Sequence, residues 1–399
     1  MPSPALTHTL CRRAIVPLVG LIGTAAWVNS ATESSTSGAN QAKNLARMNC
    51  GAHITWFSSE GSRELTPSTA ARAGESATDL LLDDNTLNCQ VAGGENTFLV
   101  TLPNISNLNR LSFINEKSEA TGYLQVFVSN YRLGPNDYGW NRVGRGYSFS
   151  HQRFVSLALP AVEAKYVKIS FQVDKPGAIA GLGLYGEQTL SSFADQRRRG
   201  TAAAATFAYS AMTLPSQNNL NFNLANLYAR AKVVAVSSGR ADQVSRMIDD
   251  DPSTEFNFAP NDPHPTVVVE LAVDQRLRRI SAIYDTKPGR LDIFLLNSLP
   301  GPGTLDNTKP VVSLTDADGS GKAAAEFEPR GAHYVCLRWT PADKSRRTGT
   351  FSVAEIGAFS DTTPAMIDIQ GIPEQFARTS SIVTLPPMMD PPRVAPASE

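Results

Sequence analysis

The sequence lacks an excess of charge of either sign. It contains 36 Lys and Arg residues against 37 Asp and Glu residues, which gives a formal net charge of −1 over 399 residues. The basic residues are scattered along the chain rather than arranged in a stripe. Nucleic-acid-binding domains concentrate positive charge on one face, so the composition gives no reason to expect a nucleic acid as a partner.

The sequence also lacks the local motifs of common catalytic sites. It has no Gly-x-Ser-x-Gly nucleophile elbow, no His-Glu-x-x-His zinc motif and no phosphate-binding loop. Its 5 histidines lie far apart along the chain. The glycines from Gly181 to Gly186 have the spacing of a dinucleotide-binding loop, but they lie inside a predicted strand with no helix after it. We therefore predict that this protein is not an enzyme.

Long hydrophobic runs are absent except near the N-terminus. Arg12 and Arg13 precede an apolar run from Ala14 to Val28, and small and polar residues follow it. This run is shorter than the ~20 apolar residues that span a bilayer, and it contains Pro17. The order is typical of a cleaved secretory signal, with an uncleaved short anchor as the alternative. We predict a secreted, periplasmic or cell-surface protein with no transmembrane span after signal removal.

Cysteine is scarce, with 4 residues, of which Cys11 belongs to the predicted signal. Cys50 lies at the start of the first repeat and Cys89 just after its acidic turn, and in an oxidising compartment such a pair commonly forms a disulfide. We predict this bond, which would stabilise the fold by about 3–4 kcal/mol for a loop of this length. Cys336 lies in an apolar strand, and we interpret it as a buried, inert thiol, with a reactive or intermolecular cysteine as the alternative.

What the sequence does contain is a series of short strand signals separated by turn residues. Apolar and polar residues alternate through 124–128 and 167–171. In the second half the strand signals are Thr266–Leu271, Arg279–Tyr284, Leu291–Leu296, His333–Trp339 and Phe351–Phe359. Many short strands with Gly, Pro and Asn between them predict an all-β sandwich or barrel rather than a parallel α/β sheet.

These signals occur twice in the same order. Residues 44–46, 83–85, 124–128, 166–169 and 179–185 correspond to residues 223–225, 249–251, 291–295, 334–337 and 353–359. Self-similarity at this scale indicates two copies of one fold rather than a solenoid. We predict a signal peptide at 1–31, a flexible leader at 32–43, domains at 44–186 and 223–361, a linker at 187–222 that can hold a short helix, and a proline-rich tail at 362–399.

The stretch from Ile248 to Phe258 joins an acidic turn, a proline and a threonine between two apolar segments. It resembles the discoidin family, also called coagulation-factor type C domains, which includes galactose-binding-like carbohydrate-binding modules. The hallmark of that family is an apolar residue, Asp-Gly-Asp/Asn, two further residues, Thr and an aromatic residue. Here Asp250 stands at the glycine position and Phe256 at the aromatic position. The resemblance implies two tandem jelly-roll β-sandwiches.

The resemblance also implies a structural Ca2+ ion in the second domain. Asp249, Asp251 and Thr254 of the acidic turn, with Glu355 of the last strand, would supply the oxygen ligands that this ion takes. The residues alone leave an alternative, which is an Asp-Pro-Ser-Thr turn held by its own hydrogen bonds. In the first domain Gly181 stands at the position of the glutamate, so no ion is expected there.

Members of the family bind ligands with loops at one end of the sandwich, where aromatic and polar side chains meet. The corresponding candidates are Tyr131, Arg132, Tyr138, Arg142 and Arg145 in the first domain, and Asn261 and His264 in the second. Trp140 aligns with a tryptophan that is structural in the family, so we assign it to the core. Trp56 and Phe57 are assigned to core or edge positions, with an exposed ligand-contacting pair as the alternative.

These observations together predict a secreted, non-enzymatic protein that recognises a glycan or cell-surface polymer. One alternative is a structural or adhesive envelope protein that uses its sandwiches as protein-contact modules. Another is the accessory binding subunit of a separate hydrolase. Fold-level resemblance does not by itself decide among these functions.

Overall fold

The computed structural model describes residues 43–59, 77–188, 220–260, 262–301, 304–342, 350–361 and 383–384. The predicted signal peptide lies outside these residues, as do nearly all of the leader, most of the linker, most of the tail, and Asn261. The described residues belong to one compact unit that spans 42–399. None of their helices combines the length and the apolar character needed to cross a membrane.

The described part of the chain consists mostly of β-strands. These are β1 (Lys43–Asn44), β2 (His53–Ser59), β3 (Asn88–Val91), β4 (Gly94–Asn115), β5 (Thr121–Ser129), β6 (Asn141–Phe149), β7 (Phe154–Lys175), β8 (Gly177–Gln188), β9 (Lys232–Val236), β10 (Phe256–Asn257), β11 (Thr266–Tyr284), β12 (Gly289–Leu296), β13 (Val312–Asp316), β14 (Lys322–Pro341), β15 (Ser352–Ser360) and β16 (Val383–Thr384). The short 3-10 helices are Met48–Cys50, Ala77–Leu81, Glu116–Ser118, Leu227–Ala229 and Ala241–Met247, and a single α-helical turn, α1, is Thr304–Asn307.

Strands β1 to β8 form an antiparallel sheet in the order β1-β8-β4-β7-β5-β6, with β2 added to β4 and β3 added to β8. Strand β4 changes partners along its length, because its first half pairs with β2 and its second half pairs with β8. The register with β7 shifts between Thr101 and Ser106. Such irregularities bend a strand, and here the bend lets the sheet close over its own apolar face.

Strands β9 to β16 repeat this topology. The order is β10-β15-β11-β14-β12-β13, with β9 paired to β11 and to β16. Strand β11 pairs with β9 near its start and with β15 near its end, and its register with β14 shifts between Glu270 and Gln275. The two strands predicted at 266–271 and 279–284 are therefore one bent strand. The prediction of an all-β chain with two sandwiches of one topology is confirmed.

An asparagine fixes the start of each sandwich in the same way. The Oδ1 atom of Asn44 accepts hydrogen bonds from the backbone N–H groups of Ala46 at 3.0 Å and of Leu184 at 3.1 Å. Asn223 makes the corresponding two bonds in the second repeat, at 2.9 and 3.0 Å. Both asparagines are buried, where an unpaired amide would be costly. Each side chain thus ties the first residues of its repeat to the last strand.

The repeats contact each other through their acidic turns, and the contact is reciprocal. Arg110 of the first repeat donates to the carboxylate of Asp251 at 2.5 Å. Arg279 of the second repeat donates to the carboxylate of Asp84 at 2.6 Å. Each repeat therefore supplies an arginine to the acidic turn of the other.

The bonds inside the turns show which residues correspond. Asp84 Oδ1 accepts from the backbone N–H and the hydroxyl of Thr86, at 3.0 and 2.6 Å. Asp251 Oδ1 accepts from the same two groups of Ser253, at 3.1 and 2.6 Å. The counterpart of Asp251 is therefore Asp84. The alignment of the two repeats by sequence, which matched Asn85 to Asp251, was wrong by one residue.

Arg47 lies at the centre of the contact and is 1% exposed. Its guanidinium donates to Asp250 Oδ1 of the other repeat at 2.6 Å, to Asn85 Oδ1 at 2.7 Å and to the Leu82 carbonyl at 2.5 Å. Asp83 lies 3.8 Å from it. A buried charge is stable only when it is paired and its donors are satisfied, and this arrangement meets both conditions.

The predicted disulfide between Cys50 and Cys89 is not formed, because both residues are free, buried thiols. Cys89 packs within the core of the first sandwich. Cys50 instead lies beside the acidic turn, where its thiol donates to the Asn44 carbonyl at 3.7 Å. Burial raises the pKa of Cys50 to about 11 and that of Cys89 to about 12. Neither thiol is therefore a reactive thiolate at neutral pH.

Candidate functional site

The outer face of the first sandwich carries a continuous row of side chains across neighbouring strands. Strand registers place Trp56 beside Leu99, Leu99 beside Lys168, Lys168 beside Phe127 and Phe127 beside Arg142. Directly opposite residues of an antiparallel pair share one face of the sheet. Their chain neighbours on the other face, such as Phe98, Val126 and Ile169, form the core. The row therefore lies on the side of the sheet that faces away from the core.

The loop between β5 and β6, residues 130–140, folds back over this row and is fixed by its own hydrogen bonds. The Trp140 Nε1–H donates to the Gly134 carbonyl at 2.8 Å, and the Gly134 N–H donates to Asp137 Oδ2 at 2.6 Å. Lys168 of the sheet reaches up to the loop, where its ammonium group donates to the Pro135 carbonyl at 2.8 Å. The same ammonium group lies 4.7 Å from the centre of the Phe127 ring. These bonds hold the loop at a fixed distance from the sheet.

The space between loop and sheet is an open cleft of about 370 Å³. It is lined by Thr55, Trp56, Leu99, Val100, Arg132, Leu133, Gly134, Pro135, Trp140 and Tyr166. Its walls thus combine aromatic rings, aliphatic groups, the two hydroxyl groups of Thr55 and Tyr166, and one guanidinium. Ligand sites for small molecules are typically concave and largely apolar, with a few placed polar groups.

Arg132 is the charged residue of the cleft that a ligand can reach. It is exposed, and its guanidinium forms no hydrogen bond or ion pair with any residue that the structure describes. The Nε1–H of Trp56 also has no hydrogen-bond partner among the described residues, but this atom is buried and is therefore not offered to a ligand in the cleft.

The predicted ligand residues of the first repeat divide into two groups. Arg132 lines the cleft, and Tyr131 and Tyr138 lie on the same loop, where they are 80% and 105% exposed. Arg142 and Arg145 lie on β6, and neither lines the cleft. Arg142 instead donates to the hydroxyl of Tyr123 at 3.3 Å and to the Arg145 carbonyl.

The predicted polar site of the second repeat is not brought to this cleft. His264 lies before β11, where its N–H donates to Asp262 Oδ1 at 3.0 Å and its carbonyl accepts from the Thr266 hydroxyl at 2.7 Å. These are bonds within a loop. Asn261 lies outside the described residues.

In the second repeat the equivalent row is apolar and closed. Strand registers align Ala235, Val268, Cys336 and Phe294 in the same way as Trp56, Leu99, Lys168 and Phe127. These residues form one buried cluster with Leu305 of α1. Ala235 and Cys336 thus stand where the first repeat has Trp56 and Lys168. Leu305 packs against the row. As predicted, Cys336 is a buried thiol, and burial raises its pKa to about 12.

The acidic turn of the second repeat holds three of the four predicted calcium ligands close together. Asp249 accepts from the backbone N–H of Asp251 at 3.0 Å and from the Thr254 hydroxyl at 2.8 Å. Asp250 has a φ of +62°, a left-handed conformation that glycine adopts without strain. The family's glycine at this position is therefore explained by the shape of the turn, and Asp is among the residues that tolerate it.

Glu355 completes this acidic group but has no donor of its own. Both its carboxyl oxygens are buried without a hydrogen-bond partner among the described residues. Burial, with the nearby Asp249, raises the pKa of Glu355 well above its usual range. The Asp251 carboxylate is already neutralised by Arg110. No group of His, Cys, Asp or Glu residues in the described chain is arranged to hold a metal ion, so calcium binding at these residues stays a prediction.

Three solved structures show similarity to this chain. The chain is similar to the structure of a fucolectin from striped bass serum (Morone saxatilis), with 13% identity, coverage of 81% of this chain and 99% of that one, and a TM-score of 0.27. It is also similar to the paired CBM32-1 and CBM32-2 domains of Clostridium perfringens ZmpB, with 16% identity, coverage of 80% and 92%, and a TM-score of 0.28. A third similar structure is allantoicase from Saccharomyces cerevisiae, with 12% identity, coverage of 81% and 94%, and a TM-score of 0.27.

These proteins have galactose-binding-like folds, the type that the sequence resemblance implies. No protein-family model and no curated protein matches the sequence. Because these identities and TM-scores are low, the fold assignment rests on strand order and register, and the function has to be argued from the residues of this chain.

Sequence reasoning missed two walls of the cleft. Trp140 was assigned to the core, yet it is half-buried and lines the cleft, and Trp56 was assigned to the core or an edge, with a ligand contact only as the alternative. What the sequence did not reveal is that Trp56 pairs with Leu99, and Leu99 with Lys168, on neighbouring strands. These residues are far apart in the chain, and only the register of the strands places them in one row.

Proposed function

We propose that this chain is a non-catalytic carbohydrate-binding protein whose ligand site is the cleft of the first repeat. The observation that carries the proposal is the meeting of Trp56, Trp140 and Tyr166 with the exposed guanidinium of Arg132 in one open cleft. Aromatic rings cover the apolar faces of sugars, and fixed donors bind their hydroxyl groups.

The composition of the lining supports binding rather than catalysis. Among its members there is no Asp, Glu, His or Cys residue, the groups that serve most often as general acid, general base or nucleophile. Hydrolysis of a glycosidic bond uses a pair of carboxyl groups in most enzymes. The cleft offers neither member of such a pair.

The exposed surface favours a glycan over a protein partner. The large apolar side chains that are exposed in the described chain are Tyr131, Tyr138, Val273 and Leu299. Val273 lies on β11, Leu299 lies in a loop of the second repeat, and the two tyrosines lie together on the loop between β5 and β6. A protein-contact module would instead present a contiguous apolar patch of several hundred Å². The proposal includes export, supported by the N-terminal apolar run, with a cell-surface or extracellular polysaccharide as the partner.

The proposal is tested by glycan-array binding of the mature chain, followed by calorimetry with the glycans that are retained. Trp56→Ala and Trp140→Ala should each weaken binding at least about tenfold, which corresponds to about 1.4 kcal/mol. Arg142→Gln is the matched control, because Arg142 lies on the same sheet face outside the cleft. Thermal unfolding of each variant separates loss of the ligand from loss of the fold.

Two results would contradict the proposal. One is an array on which the folded chain retains no glycan. The other is glycan binding that both cleft variants leave unchanged, which would move the site elsewhere on the molecule.

A further inference from the structure

The lining of the cleft carries charge of one sign, which is positive. Arg132 is its one charged lining residue, and acidic side chains are missing from the lining among the described residues. The acidic residue of the covering loop, Asp137, accepts from the Gly134 N–H at 2.6 Å. Asp137 keeps its charge but does not line the cleft. Among the described residues, no acidic side chain pairs with Arg132, so the lining of the cleft presents a positive charge.

The position of this charge matters as much as its sign. Arg132 begins the part of the loop that lines the cleft, and it shares the cleft with Trp56 and Trp140. Guanidinium groups present parallel N–H donors that match the two oxygens of a carboxylate. A single hydroxyl group offers one acceptor oxygen, and a pair of neighbouring hydroxyls offers two that carry no charge, whereas bonds to a charged acceptor are the stronger ones. A sugar stacked in the cleft would satisfy Arg132 best if it carried a planar, negatively charged group.

We infer that the ligand of this cleft contains a carboxylate-bearing sugar, a hexuronic acid, whose carboxylate is bound by Arg132. The inference rests on the proposed carbohydrate-binding function and adds the class of sugar to it. In this arrangement the aromatic walls bind the sugar ring, and Arg132 binds its carboxylate. Arg132 then determines specificity, because it distinguishes the acid from the neutral sugar of the same ring.

The test compares uronic-acid oligomers with the neutral oligomers obtained by reducing their carboxyl groups, using calorimetry on the full mature chain. We expect the acidic oligomer to bind at least about tenfold more tightly at about 50 mM salt, and this ratio to shrink at about 500 mM salt, where charge interactions are screened. Arg132→Gln should bring the ratio close to 1. Arg132→Lys should give an intermediate ratio, because lysine keeps the charge but lacks the forked donors.

Arg145→Gln is the matched control, since Arg145 is exposed on the same sandwich and does not line the cleft. It should leave the ratio as in the wild type. Sulfated oligomers of equal charge separate recognition of a carboxylate from attraction to any anion, and preference for them would overturn the assignment of a uronic acid.

The outcomes also separate this inference from the proposed function. Equal binding of acidic and neutral oligomers would overturn the acidic-sugar assignment and leave carbohydrate binding in place. An acid preference that survives Arg132→Gln would overturn the role of Arg132. Failure to bind any glycan, acidic or neutral, would overturn both.

Discussion

Asp249 is a carboxyl group that the fold keeps almost entirely out of water. It is 3% exposed, and burial together with the neighbouring Asp251 raises its pKa to about 8. In an unfolded chain an aspartate titrates near pH 4. Because the folded pKa is the higher one, the folded chain holds this proton more tightly. The resulting stabilisation is complete below about pH 4 and is lost as the pH rises through about 8.

Replacement of Asp249 by Asn removes this titration while keeping the turn. The amide oxygen can still accept from the Asp251 N–H, and the amide nitrogen can donate to the Thr254 hydroxyl. We expect the free energy of unfolding of the wild type to fall more steeply between pH 5 and 9 than that of Asp249→Asn, by on the order of a few kcal/mol. Urea unfolding in the presence of a chelator measures both curves.

The exposed Asp242→Asn is the control for this measurement, because Asp242 is 63% exposed and should not change the slope. Parallel curves for the wild type and Asp249→Asn would show that Asp249 does not titrate in this range. Burial also raises the pKa values of Asp83 and Glu355, so the variant should flatten the curve only in part.

The acidic turn of the second repeat is the element on which the calcium prediction depends. An ion at Asp251 would compete with Arg110, whose guanidinium lies 2.5 Å from that carboxylate. We therefore expect calcium at millimolar concentration to raise the melting temperature of Arg110→Gln more than that of the wild type, since ligand binding to the folded state stabilises it. Glu355→Gln should abolish the calcium effect in both backgrounds.

Magnesium at the same concentration serves as the control, because it dehydrates less readily and demands stricter octahedral geometry than calcium. Melting temperatures that do not respond to calcium in the wild type or in Arg110→Gln would leave the turn with the role that its hydrogen bonds already indicate. It would then be an Asx-type turn that connects the repeats.

At the scale of elements, the sequence predicts the strands whose neighbouring residues alternate between apolar and polar. The alternation at 124–128 and 167–171 identifies β5 and part of β7, and the repeated order of signals identifies the duplication. The bend in β11 is not predicted, because a break in alternation looks the same whether the strand ends or bulges. The disulfide is not formed because the fold places Cys89 in the core of the first sandwich and Cys50 beside Asp83 and Asp250, a separation that the positions in the chain do not reveal.

The cleft could not be predicted from local pattern because its walls come from separate strands. Lys168 and Cys336 occupy equivalent positions in the two repeats, as do Trp56 and Ala235. With Trp56 and Lys168 at these positions the row lies under an open cleft, whereas with Ala235 and Cys336 it is buried. Sequence similarity between the repeats identifies the shared framework, whereas the site lies at the positions where the repeats differ.

At the scale of the whole molecule, the repeats are joined by buried charges rather than by an apolar seam alone. Arg47→Met would leave Asp83 and Asp250 buried without their cation. We expect this change to lower the free energy of unfolding by about 3–5 kcal/mol, the usual effect of removing one partner from a buried ion pair. Urea unfolding measures the loss.

Arg240→Met provides the comparison. Arg240 and Asp242 form an ion pair whose side chains are 73% and 63% exposed, and removal of the arginine should cause no measurable change. A small effect of Arg47→Met would mean that the two aspartates become neutral at little cost. In that case the repeats would be joined mainly by the packing of Ile114 and Ala180 against Ile283 and Ala354.

The closed row of the second repeat has a consequence for valency. The row that lines the open cleft in the first sandwich is buried in the second. For the proposed sugar, this row therefore supplies one binding site per chain, and the equivalent row cannot add a second engagement to the affinity. A chain that binds through this site would coat a polysaccharide without cross-linking neighbouring strands. Agglutination would require several chains to be displayed together.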